Sequence, residues 1–354
     1  MTIFFAILLF SFLIFIHELG HFLAAKASKV RVNEFSMFMG PAIFKKQVGD
    51  TLYAIRCIPI GGYCAMEGEN EDTDDPHSFQ KAAWWKRLII LVAGSGMNFA
   101  AGFLILAIVF APAKQFAVPV IDSVEVGCTV VREGGLQIGD EILELDGEKI
   151  YVQPDFAMIL QLNPGDTHDI VVKRDGKELV FKDYKMEKHI FVDVVTGQET
   201  ERYGFSFGVE DATFGKKLAY TWKSGINVVR NVRLSLQMLI TGQAGLSDMT
   251  GPVGIVQMMS DTAESSETKT DALLNVLYIG GFLAINLAVM NLLPIPALDG
   301  GRVVGLLLTC AIEKITKKKL DAKYEGYIHG IGMILLLALM ALILFKDVFT
   351  IFKG

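Results

Sequence analysis

Paired cysteines are missing from this chain. Cys57, Cys64, Cys128 and Cys310 are scattered, with no C-x-x-C spacing, which excludes a disulfide framework and a cysteine-ligated metal. Excess basic charge is missing too: 33 Lys and Arg against 39 Asp and Glu leave a net charge of −6. With no basic stripe carrying aromatics, nucleic acid is not expected as a partner. The sequence holds no internal repeat and no low-complexity tract. Its N-terminus lacks the basic n-region of a secretory signal, and no small-residue cleavage pattern follows the first apolar run. That run is expected to be retained as a span.

Apolar length, in contrast, is abundant. Hydrophobic residues make up 52% of the chain and charged ones 20%. That is too apolar for an ordinary soluble enzyme and too polar for a protein made only of spans. A bilayer crossing takes ~20 mostly apolar residues. Four stretches meet this: 3–25, 88–111, 273–312 with an interruption, and 328–345. The connection after the first carries Lys26, Lys29, Arg31, Lys45, Lys46 and Arg87 among its cations. The one before the fourth carries Lys314, Lys317, Lys318, Lys319 and Lys323. Both are expected on the cytoplasmic side, which puts both termini and the long segment 112–272 outside.

Residues 31–66 are rich in β-formers, in VRVNEFSMFMGP and TLYAIRCIPIGGYCAM. So apolar a segment beside a membrane is expected as a hairpin dipping back into the protein, where non-helical backbone is tolerated if it lines a cavity. The acidic run EGENEDTDDPHSF then reads as a solvated loop. Residues 116–205 change to short β-type runs with regular turns, and GGLQIGDEILELDGEKI sets an alternating strand, EILEL, between Gly-Asp and Asp-Gly turns. From 214 to 240 apolar residues recur at helical spacing with Lys and Arg between. This is an amphipathic helix that either lies on a membrane surface or packs on the domain.

The chemistry lies in FLIFIHELGHFLAA, residues 12–25. His17 and His21, four apart, share a helix face and offer two imidazoles to one metal, with Glu18 beside them to act on water. Buried in lipid without a metal, His-Glu-His would be hard to sustain. A catalytic zinc takes a third protein ligand and keeps one position open. His77 falls in the acidic loop, and His168 and His189 in the outside segment. His329, at the cytoplasmic end of the fourth run, stays open by position. The other candidate is Asp299: NLAVMNLLPIPALDGGR breaks the third run with Pro294, Pro296, Asp299, Gly300 and Gly301, and broken helices at membrane depth build sites. Depth agrees. At ~1.5 Å per residue, His17 lies ~22 Å into the first run, and the break follows ~27 Å of helix from the same side.

HELGH in the first span, NLLPIPALDGG in the third, IPIGGY in the β-rich region and GSGMN in the second span together resemble the site-2 proteases, peptidase family M50. These are intramembrane zinc metalloproteases. The resemblance covers nearly the whole chain and is greatest to the bacterial regulator-of-sigma-E protease type, whose PDZ domain between the second and third spans is matched by GLQIGDEILELDGEKI. It implies that His17, His21 and Asp299 bind Zn2+ and that Glu18 is the catalytic acid/base. It implies further that Asn291 holds the substrate backbone or its oxyanion, and that residues around Gly61 and Gly62 form a membrane-inserted β-loop pairing with an extended substrate. The family's GPxxN stretch stands here as Gly94, Ser95, Gly96, Met97 and Asn98, with serine in place of proline. Asn98 either serves the substrate site or packs where small residues favour close helix contact.

The expected fold is therefore a polytopic α-helical membrane protein of about four transmembrane helices, with a membrane-associated β-loop and an inserted extracytoplasmic β-rich PDZ domain. Its parts are 1–112 with the first two spans and the β-hairpin region 31–66, the PDZ domain 113–205, an amphipathic helical segment 206–272, and the last two spans 273–354. One PDZ domain stands where the best-known proteobacterial members have two. VGCTVVREGGLQ also lacks the usual small-residue run GSPA, which favours a size filter or gate over binding of peptide ends.

The function expected is endoproteolysis within or beside the span of single-span membrane proteins. Anti-sigma factors already shortened by an upstream site-1-type protease, and remnant signal peptides, are the substrates implied. The location implied is a bacterial inner or plasma membrane, with the active site toward the cytoplasmic face. Two other classes compete. A cation transporter using His17, His21 and Asp299 leaves Glu18 unexplained, and an inactive PDZ-bearing scaffold has no reason to keep a complete ligand set.

Overall fold

Among the described residues of the computed structural model, four helices are long and apolar enough to cross a membrane: Phe4–Ala27, Trp84–Phe110, Lys269–Asn291 and Gly326–Asp347. At ~1.5 Å per residue each exceeds a hydrocarbon thickness of ~30 Å. The structure describes residues 2–69, 71, 73–192, 199–245, 249–317 and 323–353. Asn70 and Asp72 of the acidic run, and Lys318 and Lys319 of the basic connection, lie outside the described residues.

In chain order the elements are α1 (Thr2–Ala27), β1 (Val32–Val48), β2 (Thr51–Met66), α2 (Trp84–Phe110), β3 (Gln115–Val124), β4 (Glu141–Leu145), β5 (Glu148–Lys149), α3 (Pro154–Leu162) and β6 (Thr167–Arg174). There follow β7 (Lys177–Lys185), β8 (His189–Val192), β9 (Glu199–Arg202), β10 (Phe205–Asp211), α4 (Phe214–Thr241), α5 (Pro252–Glu264), α6 (Lys269–Asn291), α7 (Asp299–Thr316) and α8 (Lys323–Lys353). They form two compact units, Met1–Val109 with Val228–Gly354, and Phe110–Asn227.

In the first unit, small residues let the spans meet closely. A Cβ on Gly102 of α2 would come within 2.5 Å of Ile285 on α6, and one on Gly280 of α6 within 3.0 Å of Leu9 on α1. Leu13, Leu283 and Ala284 fill the contact. The third apolar run is not one span. Pro294 and Pro296 remove two backbone donors and stop the helix, so the run divides into α6 and α7. The latter carries Arg302, Glu313 and Lys314 and is not among the helices apolar enough to cross. Near the end of α8, buried Asp347 accepts from the Gly251 and Gly254 amides (3.4 and 3.1 Å) at the start of α5, where the helix dipole favours an anion.

The region 31–66 is more folded than a hairpin. β1 and β2 pair antiparallel over most of their length, yet residues 34–37 are matched twice, running against 65–62 on one side and in step with 52–55 on the other. Residues 42–48 then match 56–51. The result is a small sheet of four rungs, with 62–66 at one edge and 42–48 at the other. Phe38 (φ 71°) and Gly40 (φ 84°) make the bend between the first two rungs. Arg56 ties the sheet together, donating to Glu34, to Ser36 Oγ and to the Gly40 carbonyl (2.6, 3.0 and 2.6 Å). Phe22 and Phe35, 4.9 Å between centroids, hold the sheet on α1.

The second unit is built on a sheet of order β10-β3-β4-β6-β7, with β5 paired to β4. EILEL does not alternate cleanly. A register shift between Ile142 and Glu144 lets Ile142 and Leu145 both point into the core, as a β-bulge does, and both are fully buried. Asp146 and Gly147 take the positive φ values (50° and 78°) of the tight turn that follows. Ile121, Leu136, Ile159 and Ile170 complete the core. Asp140, with no exposure, is gripped by Arg174 through two 2.7 Å bonds. The unit runs further than 113–205, because edge strand β10 lies at Phe205–Asp211 and pairs with β3. Residues 193–198 of the expected PDZ range lie outside the described residues. In α4 the first turns expose Phe214, Leu218 and Trp222, whereas Val228 and Val232 are buried.

Candidate metal centre

α1 puts His17 and His21 on one face, their rings edge-on with centroids 4.8 Å apart. Their Nε2 atoms stand 3.2 Å from each other. Asp299, first residue of α7, brings Oδ2 to 3.1 Å from His17 Nε2 and 3.3 Å from His21 Nε2. Among the described residues these three form the group able to hold a metal. His329 does not join it: its Nδ1 accepts from the Ala297 amide at 3.1 Å and so supports the loop before Asp299. That loop turns through Ala297 at φ 82°. Gly300 and Gly301 lie so close to the Leu292 and Ile295 carbonyls that a Cβ would overlap them. This is the reason L-D-G-G begins the helix: only bare backbone lets α7 fold back against the end of α6. An ion pair between Arg302 and Glu69 ties the first turn of α7 to the segment leaving β2.

The residues present fit zinc. Ligands about 2.0–2.1 Å from a tetrahedral zinc stand ~3.3 Å apart, and the three atoms here stand 3.1 to 3.3 Å apart. Asp299 Oδ2 is buried and neither imidazole meets it with hydrogen-bond geometry. A cation at their centre resolves that crowding of lone pairs. His21 Nδ1 lies 2.8 Å from the Ile90 carbonyl, which holds the proton on Nδ1 and leaves the Nε2 lone pair free for a metal.

Glu18, half-buried, faces the rung 62–66: a Cβ on Gly62 would sit 3.4 Å from its Cγ. Gly61 (φ 75°) lies against Met39 instead. Asn98, on α2, brings its amide to 3.4 Å from His17 Nδ1. Asn291 closes α6, half-buried, and among the described contacts its side chain is not joined to the three ligand atoms. Sequence reasoning missed Gly94 as part of the site. A Cβ there would overlap His21 Nε2 and lie 2.8 Å from His17 Cε1, so α2 passes flat beneath both rings. The run G-S-G-M-N held that signal. The role of the Ile90 carbonyl has no signal in the side-chain pattern.

The sequence pattern of Peptidase family M50 matches residues 5–339. The chain is 35% identical over 350 residues to a protein of Clostridium perfringens that carries a zinc metalloprotease name, covering 98% of both. It is 33% identical over 362 residues to one of Fusobacterium nucleatum, named likewise, covering all of both. With the Regulator of sigma-W protease RasP of Bacillus subtilis it shares 26% over 436 residues, 98% of each chain. Similarity of this extent to proteins above 30% identity, together with a family match over nearly the full length, establishes that the chain belongs to peptidase family M50 and is an integral membrane zinc metalloprotease of the site-2 protease family.

Proposed function

We propose that His17, His21 and Asp299 hold the zinc and that Glu18 is the acid/base of an endopeptidase cutting within or beside the spans of single-span membrane proteins. The observation that carries this is the meeting of the three ligand atoms next to Glu18 and a sheet edge. Bound there, zinc supplies Lewis-acid polarisation of the scissile carbonyl and acidifies water. Glu18 takes the proton of the attacking water on its carboxylate and returns it to the leaving amine nitrogen. A helical substrate keeps its carbonyls bonded internally, so it must unwind at the cut. Among the described residues rung 62–66 lies at an edge of the sheet, where the extended piece joins as an added strand. The stretch around Gly61 and Gly62 pairs with that piece, Gly62 keeping the rung close to Glu18, and Asn291 and the end of α6 hold the substrate backbone.

Unit 110–227 is read as the PDZ domain, outside the cytoplasm with both termini, and the metal centre lies toward the cytoplasmic face. The fold of β3, β4, β6, β7 and β10 with α3 supports the domain reading, and the cations of the two short connections support the orientation. Its role is a gate against bulky ectodomains. The substrates are anti-sigma-factor-like proteins shortened by an upstream protease, and remnant signal peptides. The sigma-W regulator name of one relative supports this class.

The test is cleavage of a tagged single-span substrate in liposomes by wild type, by Glu18→Gln, and by wild type with a zinc chelator. Only untreated wild type is expected to cut, and Glu18→Gln is expected to keep one zinc per chain. Cleavage by the variant, or loss of its zinc, overturns the role given to Glu18.

A further inference from the structure

Ile90, Gly94 and Asn98 are four apart and so share a face of α2. That face is laid against the face of α1 carrying His17 and His21. Ile90 offers its carbonyl to His21 Nδ1, Gly94 leaves space beneath the rings, and Asn98 meets His17 Nδ1. The last contact sets like groups against each other. Asn98 is 1% exposed, its Nδ2 faces His17 Nδ1 at 3.4 Å, and its Oδ1 is buried with no partner among the described residues. A neutral imidazole has one N–H. With Nε2 directed at His21 and Asp299 as a ligand atom, the proton sits on Nδ1, and a donor then faces a donor.

We propose that Asn98 is a positioning residue for the zinc ligand His17: its side-chain carbonyl accepts the hydrogen bond from His17 Nδ1–H. The oxygen and nitrogen of an amide exchange places by a half-turn of the side chain. The half-turn gives His17 Nδ1–H an acceptor and turns the NH2 to the side where the oxygen met no donor. The two ligating histidines are then oriented alike, each through Nδ1–H to a carbonyl on α2. One carbonyl is backbone and the other is a side chain two turns further on. This role differs from a hand on the substrate and from neutral packing between helices. It rests on the zinc site proposed above.

The experiment measures zinc affinity of the full chain in detergent by competition with a chromophoric chelator. It also records the cobalt(II) absorption spectrum and the kcat and KM of substrate cleavage. The proteins are wild type, His17→Ala, Asn98→Leu and Asn98→Asp. Wild type is expected to bind one zinc and His17→Ala to lose it; failure there overturns the metal centre and takes the inference with it. Removing an outer partner of a ligand weakens a metal by ~10–100-fold, so Asn98→Leu is expected to fall by that factor with an altered cobalt spectrum. Asn98→Asp, which keeps an acceptor, is expected to bind zinc at least as tightly as wild type with the wild-type spectrum. Unchanged affinity in Asn98→Leu overturns the inference, and a fall in kcat alone assigns the residue to the substrate. An Asn98→Asp variant as weak as Asn98→Leu overturns it too.

Discussion

His17, Glu18 and His21 are neighbours on one helix face, so their grouping is dictated by 3.6 residues per turn and needs no other part of the protein. Gly94 is the opposite case, since its meaning depends on α2 lying against α1. Gly94→Ala would place a methyl group on His21 Nε2, and neither backbone can withdraw without opening the Gly20 contact with Ala93. The expected outcome is loss of bound zinc after dialysis while the helices stay formed, read by metal analysis alongside circular dichroism. A Gly94→Ala protein that keeps one zinc per chain would show that the two helices have freedom the close contacts deny. Asp299 was legible only in part. An acid inside a Pro- and Gly-broken apolar run is suspicious, but position alone left His329 open, and it is the structure that groups Asp299 with the two histidines and sets His329 against the Ala297 amide.

The sheet of 31–66 tests what a strand can read from its pattern. Alternation and Gly61–Gly62 marked β-structure, but not the second matching of residues 34–37, because the bend rests on Phe38 at positive φ, which an L-residue adopts only when its surroundings hold it there. Rung 62–66 is where the sheet meets the site. Gly62→Val would press on Ser36, Glu18 and Ile14, where even a Cβ is held at 3.1–3.4 Å. A misplacement near 1 Å at a reacting group costs ~10²-fold in rate, so kcat/KM is expected to fall by that order with zinc retained. A variant as fast as wild type would remove this rung from the reaction. In the other unit, Arg174→Ala leaves Asp140 buried without its cation. The loss is about 3 kcal/mol, at the low end for a broken buried pair because Arg174 is 23% exposed. Hydrogen exchange of the β4 and β6 amides should quicken accordingly, and unchanged exchange would show that water already screens the pair.

The molecule joins a membrane-spanning unit carrying the metal centre to a separate β-rich unit of Phe110–Asn227. Removing 113–205 alone would leave β10 without the strand it pairs with, so a fair test of gating replaces 113–211 by a short flexible linker. Under the gate reading that enzyme cuts substrates still carrying a bulky ectodomain, which wild type spares, while cutting shortened substrates at the wild-type rate. An unchanged ratio of the two rates would exclude gating.

Runs of apolar residues and the H-E-x-x-H spacing were decided within a few turns of chain. Desolvation and helix periodicity act on neighbours, so spans, metal and class of chemistry could be read directly from the residues. The third candidate ligand, the flat floor at Gly94, the edge position of 62–66 and the end of the β-rich unit at β10 were not local. Each depends on which surfaces meet. Asp299 reaches His17 only because the prolines stop α6 and two glycines let α7 fold back, and Gly94 matters only because α2 crosses α1 there. Close packing between elements distant in sequence decides such contacts, and a one-dimensional pattern carries no distance.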